Sequence, residues 1–337
     1  MKPLPTLEDV ARHAGVSTAT VSRCLNTPEK VVAGTRDRVM SAVDELGYTP
    51  NFGGRALASR KTNTVGAVIP TMDNAIFACA LQAFQEKLAS AGVTLLVASS
   101  DYNPTQEFEQ IRALVERGAD GMLLIGDDRP KASYEFLQKR GIPFVIAWVI
   151  RSDQTTCCVG FDNRLAAMDM AKRVIDLGHR NIAMITGITS GNDRAAERVR
   201  GVRDALAAAE FDLSLMQVIE VPYSMDASGQ ALDELLKEAP QLTAIICGND
   251  VLAAGAILRS KERGLRVPED ISVVGFDDIE LASVIEPKLT TVHVPHRRMG
   301  VAAAECLLEM KSQQYAVRGH EFETEIIERD SLGPASS

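Results

Sequence analysis

The sequence predicts an α/β protein with two parts, a small helical head and a larger body of doubly wound parallel sheets. Three short stretches at helical spacing lie between residues 6 and 47, and from residue 64 onward short apolar runs alternate with amphipathic helical stretches. A chain of 337 residues that is 46% apolar and 24% charged is long enough for two or three domains with substantial cores.

The head begins with two short amphipathic helices, which we expect to start near Leu7 and near Thr18. Thr6 and Ser17 are placed to cap them, since their hydroxyls can accept from unpaired backbone N–H groups, and Gly15 can take the positive φ that the turn requires. The apolar face of each helix recurs at helical spacing: Val10, Ala11 and Ala14 in the first helix, Val21 and Leu25 in the second.

A third helix is predicted to follow, with Thr35 as its cap and Gly47 at its end. Val39, Val43 and Leu46 lie at i, i+4 and i+7 along it, so the three helices can close a small core. Such spacing is also found in three-helix bundles with other functions.

The short turn between the first two helices leaves the outer face of the second helix free. This is the helix-turn-helix arrangement, in which the second helix enters the DNA major groove. Thr18, Ala19, Ser22 and Arg23 form that face. An arginine there can bond a guanine edge, and the methyl of Ala19 or Thr18 can touch a thymine methyl.

Charge is distributed unevenly along the chain. The net charge is −9, yet residues 1–61 carry nine Lys and Arg against six Asp and Glu. A basic head on an acidic body can contact phosphates while the body stays away from the duplex. The excess in the head is small, so a chance imbalance is the alternative.

Seven short apolar runs in the body are predicted to be strands buried on both faces. They are TVGAVIP, VTLLVASS, GMLLIG, PFVIAW, NIAMITG, TAIICGN and ISVVGFD. Strands and helices in this number exceed one comfortable core, which predicts two doubly wound lobes.

Polar residues directly after these runs are candidate ligand contacts, because ligands of open α/β sheets bind beyond the carboxyl ends of the strands. Carboxylates and amides together with an arginine suit a ligand with many hydroxyls, and aromatic residues can supply flat apolar faces. The candidates are Asn74, Phe77, Asp101, Asp127, Trp148, Asp162, Arg198, Tyr223, Asn249 and Asp277. Arg194 beside Arg198 would tolerate an acidic sugar as well as a neutral one.

These candidates also have structural alternatives. Asp and Asn after strands often form turns or cap helices, and for Asp250 capping competes equally with ligand contact. Phe77 lies at helical spacing with further apolar residues, and Trp148 ends a buried strand, so core packing can explain both.

Catalysis finds little support in the sequence, and neither a cofactor nor a metal site is expected. The five histidines form no metal-binding spacing, and the phosphate-loop, dinucleotide and nucleophile-elbow motifs are absent from the sequence. His179 lies in a helix-to-strand turn, where we expect a structural role. Scattered cysteines without a C-x-x-C pair indicate a reduced cytoplasm, and neither an export signal nor a membrane span is expected.

Several blocks resemble the lactose-repressor (LacI/GalR) family of bacterial transcription factors. They begin with TLEDVARHAGVSTATVSRCLN at 6–26, TRDRVMSAVDELGYTPN at 35–51 and RALASRKTNTVGAVIP at 55–70. They continue with GFDN at 160–163, LGHRNIAMITG at 177–187, ICGNDVLAAGA at 246–256, GLRVPEDISVVGFDD at 264–278 and LTTVHVP at 289–295. The resemblance covers nearly the whole chain, and blocks in this order are highly specific.

The resemblance implies a homodimer that binds inverted half-sites of a double-stranded operator, with residues 1–50 as the head and 51–61 as a hinge. The hinge would become a short helix only on DNA, with Leu57 inserted between base pairs of the minor groove; a linker in which Leu57 packs on the head is the alternative. The expected DNA contacts are Thr6, Leu7, Ser17, Thr18, Ala19, Thr20, Ser22, Arg23, Asn26, Asn51, Arg55, Ala56 and Leu57.

The resemblance further implies a type I periplasmic-binding-protein-like body over 62–337. Lobe 1 would comprise about 62–161 and 292–322, and lobe 2 about 162–291 and 323–337. In this arrangement the effector is gripped by Asp162, Arg198, Asn249 and Asp277, with Phe77 at the lip of the cleft.

The expected function is that of a cytoplasmic bacterial transcription regulator, nucleoid-associated when bound to DNA. It would most simply be a repressor controlled allosterically by a sugar or a sugar acid. The alternative is a sugar-binding protein of the same two-lobed fold without a regulatory role, which would need an export signal and no head. An enzyme on this fold would need a catalytic pair in the cleft.

Overall fold

The computed structural model describes residues 4–49, 62–151, 156–312 and 318–335. The chain divides into two units, Met1–Thr62 and Asn63–Ser337. No helix among the described residues is both long and apolar enough to cross a membrane.

The head contains helices α1 (Leu7–Ala14), α2 (Thr18–Asn26) and α3 (Ala33–Leu46), with a 3₁₀ turn at Pro28–Lys30. The apolar faces predicted for these helices meet in one core, which confirms the three-helix prediction. Its buried members are Val10, Ala11, Ala14, Val21, Cys24, Val39, Ala42 and Val43.

Local hydrogen bonds fix where the first two helices start. Thr6 accepts from the backbone N–H of Asp9 while the Asp9 carboxylate accepts from the backbone N–H of Thr6, a reciprocal pair that satisfies two donors. Ser17 accepts from the N–H of Thr20, and Gly15 takes φ +65 in the turn. Both predicted caps and the predicted turn are therefore confirmed.

The cap predicted for the third helix is wrong. The helix begins at Ala33, and the residue before it, Val32, forms no side-chain cap. The backbone N–H groups of Thr35 and Arg36 both donate to the carbonyl of Val32, so Thr35 already lies inside the first turn. Gly47 ends the helix with φ +61, as predicted.

The described part of the body contains two parallel sheets and one short antiparallel pair. Its strands are β1 (Thr64–Ile69), β2 (Thr94–Ser99), β3 (Met122–Ile125), β4 (Phe144–Ala147), β5 (Cys158–Gly160), β6 (Ile182–Gly187), β7 (Val218–Val221), β8 (Ala244–Cys247), β9 (Ser272–Val274), β10 (Thr291–His293), β11 (His320–Glu321) and β12 (Glu325–Ile327). All seven runs predicted as strands are strands.

Helices lie between these strands. They are α4 (Ala75–Ser90), α5 (Pro104–Glu116), α6 (Lys131–Lys139), α7 (Asn163–Asp176), α8 (Asp193–Ala208), α9 (Met225–Glu238), α10 (Asp250–Glu262), α11 (Glu280–Val284) and α12 (His296–Ser312). A further 3₁₀ turn covers Leu213–Leu215.

One sheet has six strands in the order β11-β5-β4-β3-β1-β2, and the other has four in the order β7-β6-β8-β9. Neighbouring strands in both sheets are parallel. We call the parts built on these sheets lobe 1 and lobe 2. The doubly wound α/β class is thus confirmed.

Three segments connect the lobes. The chain leaves lobe 1 after β5, returns through β10 and α12, and then runs from β11 into β12, which pairs antiparallel with β10. His179 contributes to the packing of the chain end, because its ring nitrogens lie 2.9 Å from the Thr243 hydroxyl and 2.9 Å from the carbonyl oxygen of Gly333. Its predicted structural role is confirmed.

Candidate DNA-binding face and ligand cleft

Helix α2 presents a polar outer face. Thr18, Ala19, Arg23 and Asn26 are exposed, and Ser22 is half-buried beside them. The ion pairs within the described part of the head join other residues: Arg12 to Asp9, His13 to Glu45 and Arg36 to Asp37. The Arg23 guanidinium therefore remains available for a base edge or a phosphate.

Side-chain bonds organise the two edges of this face. The hydroxyls of Ser17 and Thr20 lie 2.9 Å apart at the start of α2, and the amide of Asn26 donates to the Ser22 hydroxyl at 3.2 Å at its end. Hydroxyl oxygens keep further hydrogen-bonding capacity for phosphates. DNA contact stays a prediction for these residues and for Thr6 and Leu7, which open α1.

Four predicted DNA contacts belong to the hinge and lie outside the described residues. They are Asn51, Arg55, Ala56 and Leu57.

A cavity of about 20 Å³ lies between the lobes of the body, at the carboxyl ends of strands from both sheets. Lobe 1 lines it with Asn74, Ile76, Phe77, Tyr102 and Trp148. Lobe 2 lines it with Asn192, Arg194, Arg198, Tyr223, Asn249 and Asp277. A space of this size holds about one water molecule, so a larger ligand can enter only if the lobes separate.

Seven of the ten predicted ligand contacts meet at this cavity: Asn74, Phe77, Trp148, Arg198, Tyr223, Asn249 and Asp277. Asn74 and Asn249 also cap α4 and α10 through their side-chain oxygens. Capping and a place in the cleft are therefore compatible. Ligand contact itself stays a prediction.

Arg198 is the most constrained side chain of the cleft. It is buried, and it donates to the Asn163 side chain at 2.9 Å and to the Gly248 carbonyl at 2.7 Å. Its third contact, with the Asp277 carboxylate, is longer at 3.4 Å. The guanidinium also lies over the Phe276 ring, 3.7 Å from its centre, which stabilises the cation. The Arg198 charge is thus held in place, and the longest of its three hydrogen bonds is the one to the Asp277 carboxylate.

Asp277 is a buried carboxylate in a strained backbone conformation, with φ +108. Burial raises its pKa to about 6, while the nearby cations Arg198 and Arg194 oppose that rise. At neutral pH it is mainly ionised. A ligand with hydroxyl or amine donors would complete its hydrogen bonding, which is incomplete with Arg198 alone.

Aromatic rings form the wall of the cleft on the lobe 1 side. Phe77 and Trp148 meet edge to face with ring centres 5.5 Å apart. The indole N–H of Trp148 donates to Nδ1 of His296 at 3.2 Å. On the opposite side Tyr102 lies 6.0 Å from Tyr223, so one ring from each lobe closes that side.

The lobes also contact one another beside the cavity. The backbone N–H of Asp127 in lobe 1 donates to the Asp193 carboxylate of lobe 2 at 2.5 Å. Arg194 pairs with Asp193 at 2.7 Å and reaches Gly126, whose φ is +74; a β-carbon there would collide with the guanidinium. Gly126 is thus needed for the close approach of the lobes.

The remaining three predicted contacts lie elsewhere. Asp127 and Asp162 line a larger, neighbouring groove of about 590 Å³, where Asp127 accepts from Tyr134 and Asp162 caps α7. Asp101 is exposed and lines none of the cavities described for residues 62–151.

The capping explanation considered for Asp250 is wrong, and Asp250 is not among the residues that line the cavity. Asn249 caps α10 instead. The buried Asp250 carboxylate accepts from the Thr291 hydroxyl and from the backbone N–H of Ile279, and thereby ties the loop after β9 to β10.

Sequence reasoning missed three residues of the cavity, Ile76, Tyr102 and Asn192, and it named Arg194 only as a neighbour of Arg198 that bears on the ligand's charge. Tyr102 directly follows Asp101, so its position after β2 was an available signal. Arg194 is visible in sequence as one helical turn before Arg198. Ile76 and Asn192 carry no signal of their own.

A three-helix head with a free second helix and a two-lobed body with a polar interlobe cleft define a class, that of ligand-binding DNA-associated proteins. Comparison with known proteins agrees with both parts. Residues 6–51 match the bacterial regulatory proteins of the lacI family, and residues 171–332 match the periplasmic binding protein-like domain.

Relatives cover the chain nearly end to end. The HTH-type transcriptional repressor PurR of Vibrio atlanticus is 36% identical over 335 residues, which is 98% of this chain and 99% of that protein. A LacI-family transcriptional regulator from Silicibacter pomeroyi superposes with a TM-score of 0.90 at 28% identity, covering 98% of this chain and 99% of that one. The lac repressor dimer bound to operator and the anti-inducer ONPF gives a TM-score of 0.85 at 25% identity, covering 98% and 100%.

The chain belongs to the lacI family of bacterial regulatory proteins.

Proposed function

We propose that this protein is a homodimeric transcription repressor of the bacterial cytoplasm whose affinity for an operator is set by a small polar molecule in the interlobe cleft. The observation that carries the proposal is the buried pair Arg198 and Asp277, which faces an aromatic wall between two lobes on a chain that also has a helix-turn-helix head. A charged pair held between movable lobes is a feature of a ligand switch rather than of a rigid core.

DNA recognition is assigned to the two heads of the dimer. In each, α2 lies in the major groove of one half-site, where Arg23 reads a base and the hydroxyls of α2 fix the register on phosphates. The relatives support repression and pairing: one is a transcriptional repressor and another is a repressor dimer on its operator. Residues 51–61 act as the hinge between head and body.

The effector is assigned to the class of polyhydroxylated rings, a neutral sugar or a sugar acid. The cleft combines flat aromatic surfaces with amide, carboxylate and guanidinium groups, which is the chemistry that binds one apolar face and several hydroxyls of a ring. Lobe 1 (about 62–161 and 292–322) and lobe 2 (about 162–291 and 323–337) supply opposite walls.

Regulation follows from the size of the cavity. A sugar is much larger than 20 Å³, so its binding changes the separation of the lobes. A change of lobe separation in both subunits alters the spacing of the two hinges. A coupling of roughly 1–3 kcal/mol changes operator affinity about 5–150-fold, which suffices for a switch.

The test begins with selection of bound duplexes from a random library, followed by titration of the selected duplex with and without neutral sugars and sugar acids. The repressor proposal expects an inverted-repeat consensus and a ligand-dependent Kd. Failure to retain any duplex at low salt contradicts it. Ligand binding without any sequence preference would favour the alternative, a sugar-binding protein without a regulatory role.

A matched pair of variants on α8 tests the cleft. Arg198→Ala should abolish the ligand response and leave operator binding intact, because the head is unchanged. Arg200 lies two residues further along the same helix, exposed and paired with Glu197, so Arg200→Ala should keep both properties. An Arg198→Ala protein that still responds to ligand as the wild type does would remove Arg198 from the site.

A further inference from the structure

His296 lies where the cleft meets the connection between the lobes. It is the first residue of α12, directly after the segment that returns from β10 to lobe 1, and its side chain is 7% exposed. Its ring lies 6.0 Å from that of Trp148, with the two planes 31° apart. It therefore forms the backing of the aromatic wall.

The hydrogen bond from Trp148 determines which ring nitrogen of His296 carries the proton. An indole N–H can only donate, so Nδ1 of His296, 3.2 Å away, must carry a lone pair. Burial and the Arg198 cation lower the pKa of His296 to about 3, so the ring is neutral at physiological pH. Its single proton is therefore on Nε2.

That Nε2–H is buried and has no hydrogen-bond partner among the described residues. The acceptors near it belong to Asp277: the backbone carbonyl, and the carboxylate Oδ1 at 3.9 Å. The carboxylate oxygen lies beyond hydrogen-bond distance, and the carbonyl is close enough to oppose the lowering of the imidazole pKa without meeting hydrogen-bond geometry. A buried donor without a partner, close to a buried carboxylate with one long bond, is costly in a ligand-binding protein unless a third group completes both.

A hydroxyl is the group that fits both needs, because it accepts one hydrogen bond and donates another. An oxygen about 2.8 Å from both Nε2 and Oδ1 would see them at roughly a right angle, which a hydroxyl can accommodate. A carboxylate would accept from the imidazole but repel Asp277, and an ammonium would satisfy only Asp277.

We infer that His296 is a specificity-determining residue of the cleft, and that its Nε2–H together with the Asp277 carboxylate receives one hydroxyl of the ligand. This inference rests on the proposed function, and it selects a neutral hydroxyl rather than an acidic group at this position. It also assigns the neighbouring Trp148 an indirect role, since the indole holds the imidazole in the tautomer that carries its proton on Nε2, the nitrogen 3.9 Å from the Asp277 carboxylate.

The tautomer can be tested without any ligand. Nitrogen-15 NMR of the histidine side chains should give His296 as a neutral ring protonated at Nε2 at neutral pH. The resonance is assigned by its loss in His296→Phe. An Nδ1-protonated ring or an imidazolium would overturn the inference.

The hydroxyl is tested by a cycle of variants and ligands, with thermal shift as the readout of binding. The probes are glucose, galactose, ribose and cellobiose, their monodeoxy analogues, and the acids gluconate and glucuronate. In the wild type one deoxy analogue of the bound sugar should bind at least tenfold more weakly than its parent. In His296→Phe this loss should shrink to below about threefold, while losses at the other hydroxyls stay unchanged.

The cycle removes the effect of altered packing on affinity, because the parent sugar and its deoxy analogue are compared on the same variant protein. His296→Gln, which keeps an N–H donor, should recover part of the discrimination. His293→Phe is the matched control; His293 is 42% exposed, bonds Asp278 instead, and should behave as the wild type does.

If every monodeoxy analogue loses as much affinity in His296→Phe as it does in the wild type, the inference is overturned. Binding of the acids with no neutral sugar bound also overturns it, yet leaves the proposed function standing. If no compound of the panel binds, both the inference and the sugar effector fail, whereas duplex selection still decides whether the protein is a regulator.

Discussion

Replacement of Asp277 by Asn should change how the stability of the body depends on pH. Burial raises the Asp277 pKa from 3.8 to about 6, so the folded protein binds a proton more tightly than the unfolded chain does. The stabilisation by this proton is fully present below pH 3.8 and is lost as the pH rises through 6. At about 1.4 kcal/mol per pH unit, the whole effect amounts to about 3 kcal/mol.

The Asn side chain does not titrate, so the difference in unfolding free energy between wild type and Asp277→Asn reports on this group and on the groups coupled to it. The Asp277 charge raises the pKa of the buried Asp250, so the titration of Asp250 also changes in the variant, whereas uncoupled groups cancel to first order. Between about pH 7.5 and about pH 4.5 the wild type should gain about 2 kcal/mol relative to the variant, the larger part of the full effect.

Urea unfolding measured by tryptophan fluorescence provides the assay. The chain has one tryptophan, and Trp148 lies in the wall of the cleft, so its emission follows the unfolding of the part that contains Asp277. A difference between the two proteins that changes by less than about 0.5 kcal/mol over this pH range would refute the assignment of Asp277 as a buried, destabilised carboxylate.

Three further substitutions have defined outcomes. Arg23→Ala should relax sequence preference at one base pair per half-site, by about 1–3 kcal/mol in competition titrations; an equal loss on every duplex would make Arg23 a phosphate contact. Ser17→Ala should cost about 1 kcal/mol of helix stability and speed amide exchange in α2 about fivefold, and unchanged exchange would deny the cap. Gly126→Ala should lower Tm in calorimetry more than Gly141→Ala does, since both glycines have positive φ but only the former meets Arg194. Equal losses would contradict the interlobe contact.

Features with local causes were predictable from the sequence. Thr6, Ser17 and Gly15 act within one turn of their own helix, and the seven apolar runs need only a strand buried on both faces. Asp277 was predictable as a cleft residue from the family block at 264–278 in which it stands, and Arg198 from the resemblance to the same family.

Features that depend on backbone direction or on distant partners were not predictable. Asp101 and Tyr102 both adopt positive φ, at +51 and +55, which turns the carboxylate to solvent and the ring into the cleft. The sequence therefore indicated the correct turn after β2, but the side chain that lines the cleft is that of Tyr102 and not that of Asp101. The Asp127 carboxylate instead accepts from Tyr134, seven residues further along the chain, and from Arg151, 24 residues further along.

The narrowness of the interlobe cavity has a consequence for kinetics. If the lobes must part before a sugar enters a space of about 20 Å³, the association rate cannot exceed the rate of that parting. In stopped-flow mixing the observed rate should level off as ligand concentration rises instead of increasing linearly. The plateau would give the opening rate of the lobes directly. The regulated gene could then respond to the ligand no faster than the lobes open.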